Sequence, residues 1–198
     1  MSTRARILDA AVERIASDGI DAVRIARIAM DARVSTALVH YHFATREALL
    51  AEALEHSFET AGAVRDEPGD SATRLRSMVE QCLPLPGEQE RDWVLWVELW
   101  LRAVRHPELR PTAAKLYANM HDWFVEAIDA GDFGPLDAGA IADRTLALID
   151  GYGVRALLGD PAMPLERARE EVWYALAGEL GLRAAAPSGY RFAESPFG

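Results

Sequence analysis

The apolar residues of this 198-residue chain recur at three- and four-residue spacing along most of its length. That is the period of a helix with one buried face, not the alternation of a strand. In residues 4–18, Ile7, Leu8, Ala11, Val12 and Ile15 form one such stripe, and Gly19 directly after it is a natural C-terminal stop. A short second helix, about 24–31, sets Ile25, Ile28 and Ala29 on one side. After a tight break at Ala32-Arg33-Val34, Ser35 is placed to cap a third helix of about 35–41 through its hydroxyl. Thr45 can cap a fourth, on which Leu49, Leu50, Ala53, Leu54 and Phe58 share a face. Further helices are expected over about 71–83, 89–105, 108–130, 137–158 and 164–181. The breaks between them fall at Pro84, Pro86 and Gly87, at His106-Pro107, at Gly131–Pro135, at Asp160-Pro161 and at Gly181. The pattern predicts an all-α protein of about nine helices, with no internal repeat.

Half of the residues are apolar and 26% are charged, the balance of a folded chain with a real core. The single cysteine, Cys82, excludes an intramolecular disulfide and a Cys-rich metal site. Charges at Arg4, Arg6, Asp9, Glu13 and Arg14 interrupt any apolar stretch that could act as a leader, and no window reaches the roughly 20 apolar residues of a membrane span. A cytoplasmic protein without a membrane partner is therefore expected. The formal net charge of −10 weighs against a nucleic-acid partner, because phosphate binding rests on Lys and Arg. Residues 1–60 carry seven arginines against nine acids, so any DNA contact must come from a local face rather than a global field. Lys115 is the one lysine among 21 basic residues.

Two short helices joined by a tight turn and braced by a longer helix in front have the geometry that places one helix in a DNA major groove. Spacing alone fits three ordinary core helices equally well. The stretch from Ile7 to Leu54, ILDAAVERIASDGIDAVRIARIAMDARVSTALVHYHFATREALLAEAL, closely resembles the DNA-binding head of the tetracycline-repressor (TetR) family. The shared elements are the I-L-D-A-A opening, the D-G after the first helix, I-A in the second, V-S before the third, and the aromatic exit Tyr41-His42-Phe43 leading to R-E-A-L.

The resemblance implies double-stranded operator DNA as a partner. Thr36, Ala37 and His40 should lie on the exposed side of the third helix, where short side chains allow close approach to base edges and a thymine methyl. Ser35 at its start, with Tyr41, His42 and Arg46, matches positions that hold the DNA backbone, while Leu38 and Phe43 should pack inward. The sequence departs from the family pattern in three places. Arg33 stands where the family usually has a turn glycine, a position that often needs positive φ; either the turn differs or the strain is accepted because Arg33 reaches DNA. His40 replaces a frequent tyrosine, and Arg24 replaces a small hydroxyl residue at the start of the second helix, where its guanidinium can bridge to phosphate. Arg4 and Arg6 are read either as minor-groove contacts from the N-terminal arm or as solvated surface charges. His40 and His42, two apart on a helix, point to different faces, and no Cys or acidic cluster completes a site, so neither a metal nor a cofactor is expected.

All five tryptophans lie beyond residue 90. Trp93, Trp96 and Trp100 fall on one face of one helix, and Tyr117, Met120, Trp123 and Phe124 follow on the next. Any one of these aromatics reads as core; together they resemble the lining of a small-molecule pocket, with Glu98, Arg102, Asn119 and His121 as its polar groups. This segment and residues 146–182 resemble the C-terminal domain of the choline-responsive, betaine-pathway branch of the family. That resemblance implies a homodimer joined through the last two long helices as a four-helix bundle, with Gly151 and Gly153 allowing close approach, and leaves the effector unidentified.

The expected organisation is a helix-turn-helix DNA-binding domain over 1–60, a ligand-binding and dimerisation domain over 61–183, and a tail over 184–198 that is irregular or pinned on a neighbour, with the polar stretch Arg65–Ser71 as the joining loop. The expected function is a ligand-responsive regulator, a repressor released from a palindromic operator by a small-molecule effector. The competing readings are a helical small-molecule-binding protein, an enzyme, and a helical adaptor that binds only protein, none with a DNA-binding role; composition permits the adaptor, and the head motif weighs against it. Against the enzyme stand the absence of a Gly-rich phosphate loop, of H-E-x-x-H and of G-x-S-x-G, and a Cys82 with no obvious histidine partner.

Overall fold

The computed structural model describes residues 2–61 and 69–187; the expected joining loop lies mostly outside these residues, as does the tail beyond 187. The described residues form nine α-helices and no strand. They fall into two compact units, one from Met1–Asp66 and Pro86–Asn119, the other from Glu67–Leu85 and Met120–Gly198.

In the first unit, α1 (Thr3–Asp18) is capped by Ser2, whose hydroxyl accepts from the Ala5 amide at 3.1 Å, and it ends on Gly19 at φ 74°. Its stripe of Ile7, Leu8, Ala11, Val12 and Ile15 is buried against α2 (Ile25–Asp31) and α4 (Arg46–Ala61). Ile28 and Ala29 supply the buried face of α2. Ser35 caps α3 (Thr36–His42) by accepting from the Leu38 amide at 3.1 Å, and Thr45 caps α4 by accepting from Ala48 at 3.0 Å. Leu49, Leu50, Ala53 and Leu54 turn inward from α4; the Phe58 side chain lies outside the described set. Burying each of these leucines, isoleucines and valines contributes about 1.5–3 kcal/mol, so α1 and α4 are the clamp that holds the two short helices. The long α6 (Glu88–Arg105) packs on this clamp through Leu95 and Leu99. Ion pairs Arg91–Glu13 and Arg102–Asp21 tie α6 to α1 and to the loop after it, and Ser57 on α4 donates to Asp92 at 3.0 Å. A single 3₁₀ turn, Pro107–Leu109, leads into α7 (Arg110–Asp129), whose Lys115 pairs with Glu55 on α4 at 2.9 Å.

In the second unit, α8 (Ala138–Leu157) and α9 (Leu165–Glu179) pack along each other, and α5 (Ser71–Gln81) packs on α9. Ile141, Ala142, Leu146 and Ile149 on α8 meet a core that includes Ala168, Val172, Leu176 and Ala177 on α9. Arg144 binds Glu179 across the pair, Arg169 binds Glu80 at 2.8 Å, and the Arg76 guanidinium lies over the Trp173 ring at 5.8 Å. Residues 184–187 have no regular structure. No described helix is long and apolar enough to cross a membrane.

Candidate DNA interface and aromatic cluster

The head presents α3 outward. Ser35, Thr36, Ala37, His40 and Tyr41 are exposed, Tyr41 at 81%, while Val39 anchors the helix in the core and Leu38 is half-buried. His42 is also half-buried, its ring edge-on to Tyr41 at 5.3 Å and tilted against Phe43 at 6.2 Å. Phe43 is buried and closes the helix, as its place before the turn requires. An outward face of short side chains with an aromatic at its far end can enter a groove, and the described residues leave it exposed.

The arginines of the head divide differently from the sequence expectation. The Arg46 guanidinium donates to the Ile20 carbonyl at 2.5 Å and to the Val23 carbonyl at 3.3 Å, so it braces the loop that enters α2. Arg6 donates to the Ala32 and Arg33 carbonyls, which ties α1 to the turn between α2 and α3. Arg4 pairs with Glu52 and lies over the Phe43 ring at 5.2 Å. Neither Arg4 nor Arg6 is a free arm. Arg24 sits at the cap position of α2, exposed, with one nitrogen on the Asp21 carbonyl at 3.0 Å. Arg14, expected only as one of the charges that interrupt the N-terminal apolar stretch, grips Asp31 at 2.5 Å and Asp18 at 3.2 Å, and its guanidinium holds the Asp31 carboxyl below the usual range. The turn residue Arg33 has φ 54°.

On α6 the structure joins Trp93, Trp96, Trp100 and the α7 residue Tyr117 into one cluster. Trp100 stacks on Tyr117 at 5.9 Å, lies tilted to Trp96 at 5.5 Å and meets Trp93 edge-on at 6.2 Å. Trp96 and Tyr117 are 5.7 Å apart. The Trp100 indole nitrogen is buried and donates to no acceptor among the described residues. Glu98 and Arg102 do not line this cluster. They lie on another side of α6, where Arg102 binds Asp21 and a Cβ added at Gly19 would stand 3.7 Å from a Glu98 carboxylate oxygen. Spacing puts both on one stripe, but their partners lie far away in the chain, so the pairing was not readable from it.

The other expected pocket residues belong to the second unit. Met120 and Phe124 are buried and Trp123 is half-buried; His121 faces Asp122 at 3.3 Å and Asp143 at 3.7 Å; Asn119 is exposed. Burial pushes the Cys82 thiol up to about 12, with Asp150 adding to the shift, so the thiolate that a nucleophile needs does not form near neutral pH.

Residues 7–53 match the tetR family of bacterial regulatory proteins, and residues 71–181 match the C-terminal domain of BetI-type transcriptional repressors. The chain is similar to the HTH-type transcriptional regulator BetI of Burkholderia thailandensis, 27% identical over 80% of this chain and 84% of that protein. A regulator from Saccharomonospora viridis, solved in complex with choline, is 30% identical with a TM-score of 0.72 and covers 85% of this chain and 92% of its own. A TetR-family regulator from Rhodococcus is 28% identical with a TM-score of 0.81, over 91% of this chain and 100% of that one.

Proposed function

The chain belongs to the tetR family of bacterial regulators, with a C-terminal domain of the BetI repressor type, and from that premise we propose that its dimer represses by holding a near-palindromic operator through α3. The family is one of DNA-binding transcriptional regulators, not enzymes. The observation that carries the reading is the outward α3, capped by Ser35, with Arg6 holding the turn before it and Arg46 the loop that enters α2. Thr36, Ala37 and His40 meet base edges, and Ser35, Tyr41, His42 and Arg24 meet backbone. The two recognition helices of the dimer then stand about 34–36 Å apart, or a multiple of it. A regulator of this kind works in the cytoplasm.

The second half of the proposal is a small cationic effector. The S. viridis relative holds choline, and the ring faces of Trp93, Trp96, Trp100 and Tyr117 are the chemistry that attracts a quaternary ammonium. The unsatisfied Trp100 N–H offers a donor to an oxygen on such a ligand, which offsets the cost of burying it. A second reading, favoured by the direct ring-to-ring packing, makes the cluster core alone.

Gel shift with the DNA upstream of the protein's own gene tests the first half: protection of a symmetric site is expected, and no retarded band at micromolar protein overturns it. Choline and related amines, followed by tryptophan fluorescence, test the second. Expected is quenching that Trp96→Ala abolishes together with a loss of operator affinity on ligand addition. Binding unchanged by Trp96→Ala and Trp100→Ala assigns the cluster to the core.

A further inference from the structure

Three helices in the described residues end in the same way: the amide two residues past the last helical turn bonds back to the third carbonyl from the end, and the residue before it takes positive φ. At the end of α8, Asp160 bonds to the Arg155 carbonyl with Gly159 at φ 68°; at the end of α9, Leu182 bonds to Ala177 with Gly181 at φ 71°. At the end of α2, Val34 bonds to Ala29 at 2.9 Å and Arg33 to Met30 at 3.1 Å, with Arg33 at φ 54°. Glycine suits this position because it has no Cβ to clash with the following carbonyl, and a side chain there is strained. The chain thus uses glycine at two of these ends and arginine at the third, which is the one that introduces α3.

A strained residue held by well-formed surroundings points to a role for its side chain. Of the other arginines of the head, Arg4 pairs with Glu52, Arg6 bonds to the Ala32 carbonyl, Arg14 to Asp31, Arg24 to the Asp21 carbonyl and Arg46 to the Ile20 carbonyl, while Arg27 is exposed on α2 and its guanidinium, like that of Arg33, makes no hydrogen bond or ion pair among the described residues; the positive φ is what sets Arg33 apart. Arg33 is exposed, and among the described residues its guanidinium makes no hydrogen bond or ion pair. Arg6 meanwhile holds the Ala32 and Arg33 carbonyls, one on each side of the Arg33 Cα, so the base of the Arg33 side chain is fixed two residues before the cap of α3.

We infer that Arg33 is a phosphate-contacting residue of the DNA interface, retained in a glycine conformation because its guanidinium reaches the duplex backbone. This rests on the DNA reading above and names a contact within it. The contact fixes the register of the head and carries no base information.

The consequence is an opposition of signs. Arg33→Gly relieves the turn and raises the melting temperature, yet weakens DNA binding; Arg33→Lys keeps a positive charge and the strained turn. The test is fluorescence anisotropy over a salt series, using a labelled duplex from the region upstream of the protein's own gene and an unrelated duplex of equal length. For Arg33→Gly, affinity should fall for both duplexes, and the slope of log K against log salt should become shallower by about 1 per recognition head. Arg33→Lys should retain most of the slope. Arg33→Gly protein that melts higher and binds both duplexes with the wild-type slope overturns the assignment alone. Wild-type protein that binds neither duplex overturns the DNA reading, and the assignment falls with it.

Discussion

Arginine in the head is used mainly as structural cement, and two residues let this be measured. Arg46 was expected to hold DNA because its position matches the family pattern, but its hydrogen bonds run to the Ile20 and Val23 carbonyls. Arg46→Ala should therefore cost about 1–2 kcal/mol of stability, seen in chemical unfolding, because charge-assisted bonds to buried-side carbonyls are lost. Its DNA affinity should fall through a loosened α2 entry with the salt slope unchanged; a shallower slope would instead make Arg46 a phosphate contact. Asp31 offers a pH test. Its folded carboxyl lies below the ordinary value because of the Arg14 hydrogen bonds, so the stabilisation is present above the unfolded value, about 3.9, and is lost as pH falls through the folded one. Asp31→Asn should lower the melting temperature at pH 7, and the gap to wild type should begin to close at about pH 4 and vanish as pH falls through the lower folded value. A gap that persists in acid assigns the loss to packing. At this scale the sequence made the caps legible, since Ser35 and Thr45 act on amides three residues away. It also marked Arg33 as the odd residue for its conformation. It did not reveal the carbonyls that receive Arg6 and Arg46, because a guanidinium on a long side chain can satisfy many partners and the chain order names none of them.

Between elements, α6 is the part with two faces. One bears Trp93, Trp96 and Trp100; the other bears Leu95, Leu99 and the ion pairs to α1 and the loop after it. The periodicity located this helix to within a residue, and it foresaw the tryptophan stripe, because both follow from spacing alone. It also placed Glu98 and Arg102 among the aromatics, where the structure has them turned to Gly19 and Asp21. The grouping of α6 with the head in one compact unit was likewise invisible, because Pro and Gly punctuation marks where helices stop and not which helices share a core. On the proposal that an effector binds at the tryptophan face, α6 is the element that joins that face to the Arg102–Asp21 pair. Asp21 is exposed while Arg102 is mostly covered, so Asp21→Asn should change stability little. Its effect should appear in coupling, as a several-fold smaller loss of operator affinity on adding an effector, with effector affinity for the free protein unchanged. Equal coupling in variant and wild type would show that the signal does not pass through this pair.

For the whole molecule, the question is what covers the outer face of the α8 and α9 pair. Ala147, Gly151, Arg155 and Leu158 follow one another along α8 at helical spacing, all exposed, and Leu158 is 78% exposed. Tyr174 and Gly178 are exposed on α9, and a Cβ added at Gly151 or Gly178 would meet nothing within 4 Å. Gly153, expected with Gly151 at the contact, is buried inside its own chain, since two residues along a helix reverse the face. Small residues flanked by a leucine and a tyrosine form a surface on which a second copy can seat its helices closely, which a two-fold dimer requires on both partners at once. In a lone chain, Gly151→Ala should be stabilising by about 0.5–1 kcal/mol, because alanine is the better helix former and space is open there. Gly151→Leu adds bulk that an isolated protomer also tolerates but a close helix crossing does not. If the face is the dimer interface, Gly151→Leu should run as a monomer in sedimentation equilibrium where the wild type is dimeric. It should also lose cooperative binding to a symmetric operator, because one head on one half-site forfeits the second set of contacts. A Gly151→Leu protein that stays dimeric and binds the operator as before would move the interface off this face, leaving the DNA reading of α3 intact.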